Sequence, residues 1–568
     1  MRRPPAHRRH LHAVAVTVAA VVLLAACASD AGSGEGSKAT ETTETAEATG
    51  STAAPATAGH ACDQGAVSDD LQVEPVDGTP TDRTLTSDDG TEIRLHWMPV
   101  DGATADDPAP TILMGPGWSL PGDTSTEGAA LFAALSIGGI WDHGYNVLTW
   151  DPRGFGQSGG VATVNDPDKE GRDVQLMLDF VAAQPEAQTD GDGDPRVGMV
   201  GFSYGGGIQL TVAGIDCRVD AIVPGIAWHS LETSLFKAET VKTGWANILT
   251  STVPEDRLDP HITSASASGI ATGTLSDEDR EWFLSRGPGD ELVGQIDVPT
   301  LLVGGTVDNL FTLDEDITNH DLLQSKGVPV AMIWFCGGHG TCLTNAGDPD
   351  RVAEASFAWL DRYVKGDSSA PEVPLLDLVD QDGVRWTAAG WPLEGGTSIS
   401  VEGSGSLDLN DDSRSGGGEV TAVEGDPLAG ITSDITPTEA DVAIEATSAE
   451  QDDDALLLGA PQLTLTYRGT LPEGETDGRV FAQLVDDDTG IVLGNQITPI
   501  QVTLDGEEHT TEVPLEVIAH HLKAGHTVTL QLVATSTAYG SPHLGGSLDV
   551  TALTLELPVA PPTAVTKH

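Results

Sequence analysis

Two serines of this chain lie in a Gly-x-Ser-x-Gly pattern, the spacing that presents a nucleophilic serine on a sharp turn between a strand and a helix. The chain holds 66 glycines in 568 residues, so the pattern alone is weak evidence. The flanking residues separate the two matches. Ser203 follows a short apolar run, 197–200, which predicts a buried strand, and residues 204–213 can form a helix. Ser158 lies in the loop DPRGFGQSGG, so we interpret Ser158 as a turn residue and Ser203 as the nucleophile.

A serine nucleophile needs a base that takes its proton and an acid that orients the base. Downstream of Ser203, the predicted strand TLLVGG ends shortly before Asp308, and the strand AMIWF ends shortly before His339. The order Ser, Asp, His is the one that accompanies this type of turn. We therefore predict Asp308 as the acid and His339 as the base.

Other residues of the same types are rivals for these two roles. His229 and His320 are alternative bases, but neither falls just past the last predicted strand. Asp314 and Asp316 are alternative acids, and we expect both to lie on the helix that follows Asp308.

Acyl-transfer chemistry also needs N–H donors for the oxyanion of the tetrahedral intermediate. The backbone N–H of Tyr204, directly after the nucleophile, is the first candidate. The second should come from the turn after the strand TILMGPGW, where Gly117, Trp118 and Ser119 are candidates and we favour Trp118. The Trp118 indole is alternatively a lining of the acyl pocket or part of the core.

The elements that must position these residues alternate between strands and helices from about residue 84 to 370. Continuous apolar strands of this kind are buried on both faces and predict an α/β fold with a mostly parallel sheet. The predicted strands are 109–117, 145–154, 197–200, 219–225, 298–305 and 329–338, and a helix is predicted between 172 and 183.

About seventy residues separate two of these strands, too many for a plain crossover. We predict that 226–297 forms a helical cap over the carboxyl edge of the sheet, where ligands bind in open α/β sheets. Ser276 and Asp279 have the spacing of a capping box. Trp228 and His229 open the cap and are candidate substrate-pocket residues.

The chain texture changes from about residue 395 to short alternating strands separated by Gly, Asp and Pro turns. This pattern predicts an all-β sandwich of jelly-roll type. We therefore expect an α/β domain over 61–370, a linker over 371–397 and a β-sandwich over 398–560.

The N-terminus has the pattern of an export signal. A basic start is followed by an apolar segment that ends in Leu-Ala-Ala-Cys at Cys27, and such an ending resembles a bacterial lipobox. We predict a lipoprotein signal over 1–27, with lipidation of Cys27. Residues 28–60 contain no aromatic residue and are rich in Ala, Gly, Ser, Thr and Glu, which predicts a disordered tether. This pattern predicts a lipoprotein at the outer face of a bacterial cytoplasmic membrane.

Four cysteines remain after Cys27, an even number that predicts two disulfides in an exported protein. Three pairings are possible. Cys336 and Cys342 are close enough to close a short loop around His339, which leaves Cys62 to pair with Cys217. A zinc site is the alternative, but no Cys-x-x-Cys spacing supports it.

The charge balance bears on partners. The chain has 87 Asp and Glu residues and 27 Lys and Arg residues, which gives a formal net charge of −60. Such a charge argues against nucleic acid and against electrostatic docking to anionic lipid. We expect a small-molecule or peptide substrate, and membrane contact only through the lipid anchor.

Several of these stretches together resemble a known family. DPRGFGQSGG, RVGMVGFSYGGG, VGGTVDNLF, GGHGTC and VRWTAAGWPL are similar to segments of the X-Pro dipeptidyl-peptidase and cocaine-esterase-like (CocE/NonD) acyl hydrolases. The resemblance covers roughly residues 84 to 560. It implies an α/β-hydrolase core, a helical cap and a jelly-roll domain, with Ser203 as nucleophile, Asp308 as acid and His339 as base. It implies no cofactor and no metal.

One feature departs from the family pattern. Family members often use a tyrosine hydroxyl as the second oxyanion donor, whereas the turn at Trp118 holds no tyrosine, which favours a backbone donor.

An aminopeptidase needs carboxylates that bind the free amine of its substrate, and the cap offers Glu232 and Glu239 for this role.

The sequence thus favours an exported serine hydrolase that cleaves an ester or amide bond through an acyl-enzyme. One alternative is the narrower activity of an X-Pro dipeptidyl aminopeptidase. Another is a non-catalytic binding lipoprotein in which the sandwich holds a glycan or a peptide. The three polar groups Ser203, Asp308 and His339 argue against this last alternative, because binding alone does not need all of them.

Overall fold

The computed structural model describes residue 62 and residues 64–128, 135–418, 420, 428–540 and 544–568. The predicted signal, the lipidation residue Cys27 and the tether lie outside these ranges. No helix within the described ranges is both long and apolar enough to cross a membrane.

A twelve-stranded sheet is built mostly from the first part of the chain. Its strands before the cap are β1 (Gln72–Pro75), β2 (Asp82–Thr86), β3 (Glu92–Met98), β4 (Thr111–Met114), β5 (Asn146–Trp150), β8 (Val197–Phe202) and β9 (Ala221–Gly225), and a separate small hairpin is formed by β6 (Thr189–Gly191) and β7 (Asp194–Pro195). After the cap come β10 (Thr300–Gly305), β11 (Val330–Phe335), β12 (Leu376–Val379), β13 (Arg385–Ala388) and, from the C-terminus, β27 (Val565–Lys567).

The sheet order is β1-β2-β3-β5-β4-β8-β9-β10-β11-β12-β13-β27. Its centre, from β5 to β12, is parallel, and both edges are antiparallel. The mostly parallel sheet that the apolar runs predict is therefore present, with antiparallel additions on each side. Parallel strands place all their carboxyl ends at one edge, and that edge is where the polar residues of interest follow.

Helices cover both faces of the sheet. They are α1 (Ile137–Asp142), α2 (Arg172–Ala182), α3 (Tyr204–Ile215), α9 (Leu313–Lys326) and α10 (Arg351–Tyr363). Alternate side chains of β4 show the two cores: Leu113 packs in the cluster that contains α2 and α3 residues, whereas Ile112 and Met114 pack in the cluster that contains Trp359 and Leu360 of α10. Burial on both faces explains why these strands are apolar throughout.

Five helices lie between β9 and β10, where the sequence predicts the cap. They are α4 (Leu231–Leu235), α5 (Thr243–Ser251), α6 (Pro260–Thr272), α7 (Asp277–Leu284) and α8 (Gly289–Val293). Ser276 is the N-cap of α7, and its Oγ accepts a hydrogen bond from the Asp279 N–H at 3.1 Å. This cap hydrogen bond is the one that the Ser276 and Asp279 spacing predicts.

The segment 371–397 is more than the linker that the sequence suggested, because it contributes β12 and β13 to the sheet. Each strand has only four residues, and β13 makes its outer pairs with the C-terminal strand β27. A local pattern of four residues does not identify a strand whose partner lies about 180 residues away.

The C-terminal region is built mainly of two antiparallel sheets, and β15 and β25 form a small parallel pair. Its strands are β14 (Thr397–Asp408), β15 (Arg414–Ser415), β16 (Ile444–Thr447), β17 (Ala455–Gly459), β18 (Gln462–Thr470), β19 (Asp477–Asp486), β20 (Ile491–Val492), β21 (Thr498–Thr503), β22 (His509–Pro514), β23 (Ile518–Leu522), β24 (Val528–Val533), β25 (Thr535–Ser536) and β26 (Ser547–Val559), with one short helix, α11 (Ala429–Thr432). One sheet of six strands runs β22-β18-β26-β17-β23 with β14 beside β26. A sheet of five strands runs β16-β24-β19-β20 with β21 beside β19, and the apolar faces of the two sheets share one core.

Two disulfides are present among the described cysteines. Cys62 pairs with Cys217, and Cys336 pairs with Cys342. These are the pairings that the sequence favoured.

Candidate active site

The turn between β8 and α3 forces Ser203 into an unusual backbone conformation. Its φ is 58° and its ψ is −116°, in a region that residues with a side chain rarely adopt. Gly205 allows the turn, because a Cβ atom at that position would collide with the backbone oxygen of Gly115, the residue directly after β4. A strained serine at the end of a buried strand is the geometry that the Gly-x-Ser-x-Gly pattern predicts. Ser158 is a buried turn residue whose Oγ donates to Asp151 O at 2.6 Å.

The structure brings together the three residues that the sequence singled out. His339 Nε2 lies 2.8 Å from Ser203 Oγ, and His339 Nδ1 lies 2.7 Å from Asp308 Oδ2. All three side chains are buried, and Asp308 is fully so. The arrangement can take a proton from the serine hydroxyl and hold the resulting imidazolium next to a carboxylate.

Asp308 is fixed by backbone donors. Its Oδ1 accepts from the N–H groups of Leu310 and Phe311, each at 2.9 Å, and its Oδ2 also accepts from the His339 N–H at 3.0 Å. These three N–H donors hold the carboxylate in one orientation. The loops after β10 and β11 are thereby joined at the carboxylate itself.

The His339 loop needs small neighbours to approach Asp308 so closely. A Cβ atom at Gly340 would collide with the backbone oxygen of Val307. The disulfide between Cys336 and Cys342 closes the same loop, with His339 inside it.

Two aromatic rings hold the imidazole of His339 from its sides. The Trp245 ring lies 5.6 Å and the Phe311 ring 5.1 Å from it, both edge-on. Trp245 comes from α5 of the cap, and its indole N–H donates to Asn309 Oδ1 at 3.0 Å. Sequence reasoning missed both aromatic residues, although each lies in a stretch that it had singled out as cap or acid loop.

The alternative acids and bases lie outside the hydrogen-bonded chain of Ser203, His339 and Asp308. Asp314, Asp316 and His320 are on α9, as expected for the two aspartates. Both oxygens of Asp316 lack a hydrogen-bond partner among the described residues, and burial raises the pKa of this carboxyl well above its usual range. With no hydrogen-bond partner among the described residues, this carboxyl does not orient His339. His229 donates its backbone N–H to Glu315 and contacts Asn319 through Nδ1 at 2.9 Å.

A cavity of about 950 Å³, including its open mouth, begins at Ser203 and extends beneath the cap. Trp118 and Trp228 line it, whereas His229 is not among its lining residues. The Trp118 indole N–H donates to Leu249 O of α5 at 2.9 Å, which leaves only the backbone N–H of Trp118 as an oxyanion donor. Tyr204 is the first residue of α3, so its own N–H has no carbonyl one turn earlier in the helix to bind.

The Tyr204 side chain points into a buried polar network behind the nucleophile. Its hydroxyl donates to Glu170 Oε1 at 3.1 Å, and its carbonyl accepts from Asn165 Nδ2 at 2.9 Å. Thr163 donates its backbone N–H to Glu170 Oε1 at 2.8 Å and its hydroxyl to Glu170 Oε2. Burial raises the pKa of Glu170 to about 7 and that of Tyr204 well above its usual range. Sequence reasoning did not single out Glu170.

Comparison with known proteins places this geometry in a family context. Residues 89–341 match the X-Pro dipeptidyl-peptidase (S15) family. That range includes Ser203, Asp308 and His339. The match confirms the resemblance that the sequence suggested for this part of the chain.

A curated protein matches over a shorter stretch. An uncharacterized protein, PA2218 of Pseudomonas aeruginosa, is 32% identical over 83 residues. This stretch covers 14% of the present chain and about a fifth of that relative, 21%.

Solved structures share the fold over most of the chain at low sequence identity. An aminopeptidase from a marine sediment Thaumarchaeota archaeon has a TM-score of 0.61 at 13% identity and covers 86% of this chain and 98% of its own. A CocE/NonD family hydrolase from Staphylococcus aureus has a TM-score of 0.62 at 13% identity, with coverages of 85% and 93%. An alpha-amino acid ester hydrolase has a TM-score of 0.63 at 12% identity, with coverages of 88% and 100%. At such identities the likeness is one of fold.

Proposed function

We propose that this protein cleaves an ester or amide bond through an acyl-enzyme. Ser203 Oγ attacks the carbonyl carbon, His339 Nε2 takes the serine proton and then delivers it to the leaving group, and Asp308 orients His339. The backbone N–H groups of Tyr204 and Trp118 stabilise the oxyanion. The observation that carries the proposal is the continuous hydrogen-bonded chain Ser203–His339–Asp308 at 2.8 and 2.7 Å.

Water then completes the reaction. The imidazole removes a proton from a water molecule, the hydroxide attacks the acyl carbon, and the serine oxygen leaves with the proton that His339 returns to it. An acid and a free serine are the products of this half-reaction. The buried site strengthens the interaction between Asp308 and the imidazolium at each step.

The narrower alternative is an X-Pro dipeptidyl aminopeptidase, which the family match favours. That activity requires recognition of a free N-terminal amine. The release of product from Ala-Pro-type anilides, compared with short acyl esters, distinguishes the two activities.

A fluorophosphonate probe tests the nucleophile directly. We expect wild-type protein to be labelled at Ser203, mapped by peptide mass spectrometry, and labelling to fall by at least about 100-fold in His339→Ala, because a serine without a base is a weak nucleophile. The peptide that contains Ser158, the second Gly-x-Ser-x-Gly serine, is an internal control and should remain unlabelled. A folded wild-type protein that resists the probe would contradict the proposal and favour a binding role.

We further propose that the protein acts outside the cytoplasm, anchored by a lipid on Cys27 at the outer face of a bacterial cytoplasmic membrane. The basic and apolar N-terminal segments support this, and so does the pairing of the other four cysteines, because disulfides persist in oxidising compartments. Membrane contact would be through the lipid alone. Detergent-phase partitioning of the full chain that is lost in Cys27→Ala is the expected result.

The jelly-roll type of the C-terminal sandwich is likewise a proposal. Its support is the pair of antiparallel sheets that share one apolar core.

A further inference from the structure

We infer that the acyl group taken by this site is an uncharged, apolar chain or ring rather than an N-terminal aminoacyl group. The inference rests on the proposed function, because it concerns the half of the substrate that stays attached to Ser203. It follows from which side chains line the cavity and from how the charged ones among them are already bound.

Apolar side chains from the cap helices and from the segments between them form most of the cavity wall. Ser203, Tyr204 and Trp118 stand at the catalytic end. The wall beyond them includes Leu235, Val241, Leu249, Ile262, Phe283 and Leu310. Contact with such a surface removes apolar area of a ligand from water, so each buried methylene of the ligand strengthens binding.

Three charged residues also line the cavity, and each has a partner inside the protein. Arg280 donates its Nε–H to Glu232 Oε1 at 2.5 Å, and its guanidinium lies 5.8 Å from the centre of the Phe236 ring. Lys242 donates from Nζ to Leu310 O at 2.9 Å, and burial lowers its pKa to about 8. Glu232 is the only carboxylate among the described lining residues, and Arg280 already neutralises it.

An aminoacyl substrate would bring an ammonium group into this environment. The burial of a charge away from water is unfavourable unless a free partner of opposite sign is present. Glu239, the other carboxylate that the sequence offered for an amine, is not among the lining residues, and its Oε2 lies 3.8 Å from Nη2 of Arg479. No unpaired carboxylate is thus available in the described lining, and the cations Arg280 and Lys242 would repel the ammonium.

The same cavity fits the acyl half better than the leaving group. The acyl group remains bonded to Ser203 until water attacks, whereas the leaving group must depart first. A cavity that the cap encloses suits the part of the substrate that stays.

The test compares substrates that differ in a single feature. Methyl butyrate and methyl 2-aminobutyrate share a carbon skeleton and differ in the amine. We expect kcat/KM for methyl butyrate to be at least about tenfold higher, measured by acid release in a pH-stat, because the amine must be desolvated without a partner. In a second series, kcat/KM for 4-nitrophenyl octanoate should exceed that for 4-nitrophenyl acetate by about tenfold or more.

A pair of alanines on α6 supplies matched variants. Ala265 is buried and lines the cavity, whereas Ala271 on the same helix is exposed and does not line it. Ala265→Phe should lower the ratio of octanoate to acetate kcat/KM at least about fivefold, because the added ring occupies the space of the chain. Ala271→Phe should leave both rates and the ratio as in wild type. Thermal unfolding of both variants separates a filled cavity from a damaged fold.

The possible outcomes distinguish a failure of this inference from a failure of the proposed hydrolase function. Labelling of Ser203 together with faster turnover of methyl 2-aminobutyrate, or of an Ala-Pro anilide, would overturn the inference and leave the hydrolase function intact. A loss of that amine preference in Glu232→Gln would then identify Glu232 as the amine site. Absence of labelling and of turnover with all of these esters would overturn both.

Discussion

At the scale of single residues, hydrogen bonds and aromatic contacts fix the orientation of the His339 imidazole. Its two nitrogens contact Ser203 and Asp308, and two aromatic rings flank it. A base held in one orientation loses little entropy when the transition state forms. The cap ring, Trp245, therefore links the position of the cap to the position of the base.

A second group of residues, Glu170, Tyr204 and Thr163, lies directly behind the nucleophile turn. Glu170 is only 3% exposed and carries no cationic partner among its hydrogen bonds, which explains why its pKa is raised to about 7. A carboxyl with a raised pKa binds its proton more tightly in the folded state than in the unfolded state. The stability that Glu170 contributes is therefore present at low pH and is lost as the pH rises from about 4.5 through about 7.

The direction of this pH dependence of stability gives a prediction for Glu170→Gln. A glutamine stays neutral at every pH, so the variant lacks the contribution of Glu170 to the loss of stability between pH 5 and pH 8. Relative to the variant, the free energy of unfolding of the wild type should fall by about 3 kcal/mol between these limits, since one pKa unit corresponds to about 1.4 kcal/mol. Urea unfolding at several pH values measures it.

The exposed Glu508 offers a control for the same charge change. Glu508→Gln should follow the wild-type pH profile. A Glu170→Gln variant with the same pH dependence as the wild type would show that Glu170 is ionised in the folded state throughout.

At the scale of elements, the C-terminal sandwich reaches the catalytic loops of the α/β domain. The connection between β20 and β21 places Gln496 Nε2 2.6 Å from Asp308 O, and Asn495 Nδ2 2.8 Å from Thr341 O. Asp308 is the proposed acid, and Thr341 lies in the disulfide loop of His339. One short connection thus supports both partners of Ser203 from a different part of the chain.

Gln496→Ala should therefore lower kcat with little change in KM. The expected loss is about tenfold, because small displacements of a catalytic group cost one to two orders of magnitude in rate. Gln462→Ala is a matched control, because Gln462 is an exposed residue on β18 whose amide donates to nearby Ala460 O. Steady-state kinetics on a 4-nitrophenyl ester check the prediction. A KM effect without a kcat effect would show that this connection acts on substrate binding instead.

At the scale of the whole molecule, the two disulfides close loops of very different length. The bond between Cys62 and Cys217 joins residues 155 apart, and the bond between Cys336 and Cys342 joins residues 6 apart. The first ties the start of the described chain to the segment that follows α3. The second acts on a single loop at the active site.

Loop entropy predicts that removal of the two disulfides destabilises the protein to different extents. Replacing Cys62 and Cys217 by alanine should cost about 5 kcal/mol in the free energy of unfolding, compared with about 2 kcal/mol for Cys336 and Cys342, because a longer closed loop restricts the unfolded chain more. The second pair should nevertheless lower kcat more, since its loop carries His339. Chemical denaturation and ester hydrolysis of the two double variants measure both quantities. Equal kcat losses would contradict a positioning role for the short loop.

The sequence by itself determined the parts of this protein that depend on short-range order. The strand, turn and helix around Ser203, the apolar strands that end before Asp308 and His339, and the cap between two strands are all carried by local patterns of apolar, glycine and polar residues. Parallel strands share a carboxyl edge, so these local patterns already imply that the three polar residues meet.

Only the tertiary structure decided which side chains surround them. The contact of Gln496 with the Asp308 loop joins residues 188 apart, and the raised pKa of Glu170 depends on burial that no local pattern encodes. The pairing of Glu232 with Arg280 is likewise a contact between two helices of the cap. Such contacts depend on how the elements pack, because hydrogen bonds, desolvation and cavity lining are properties of spatial neighbours rather than of sequence neighbours.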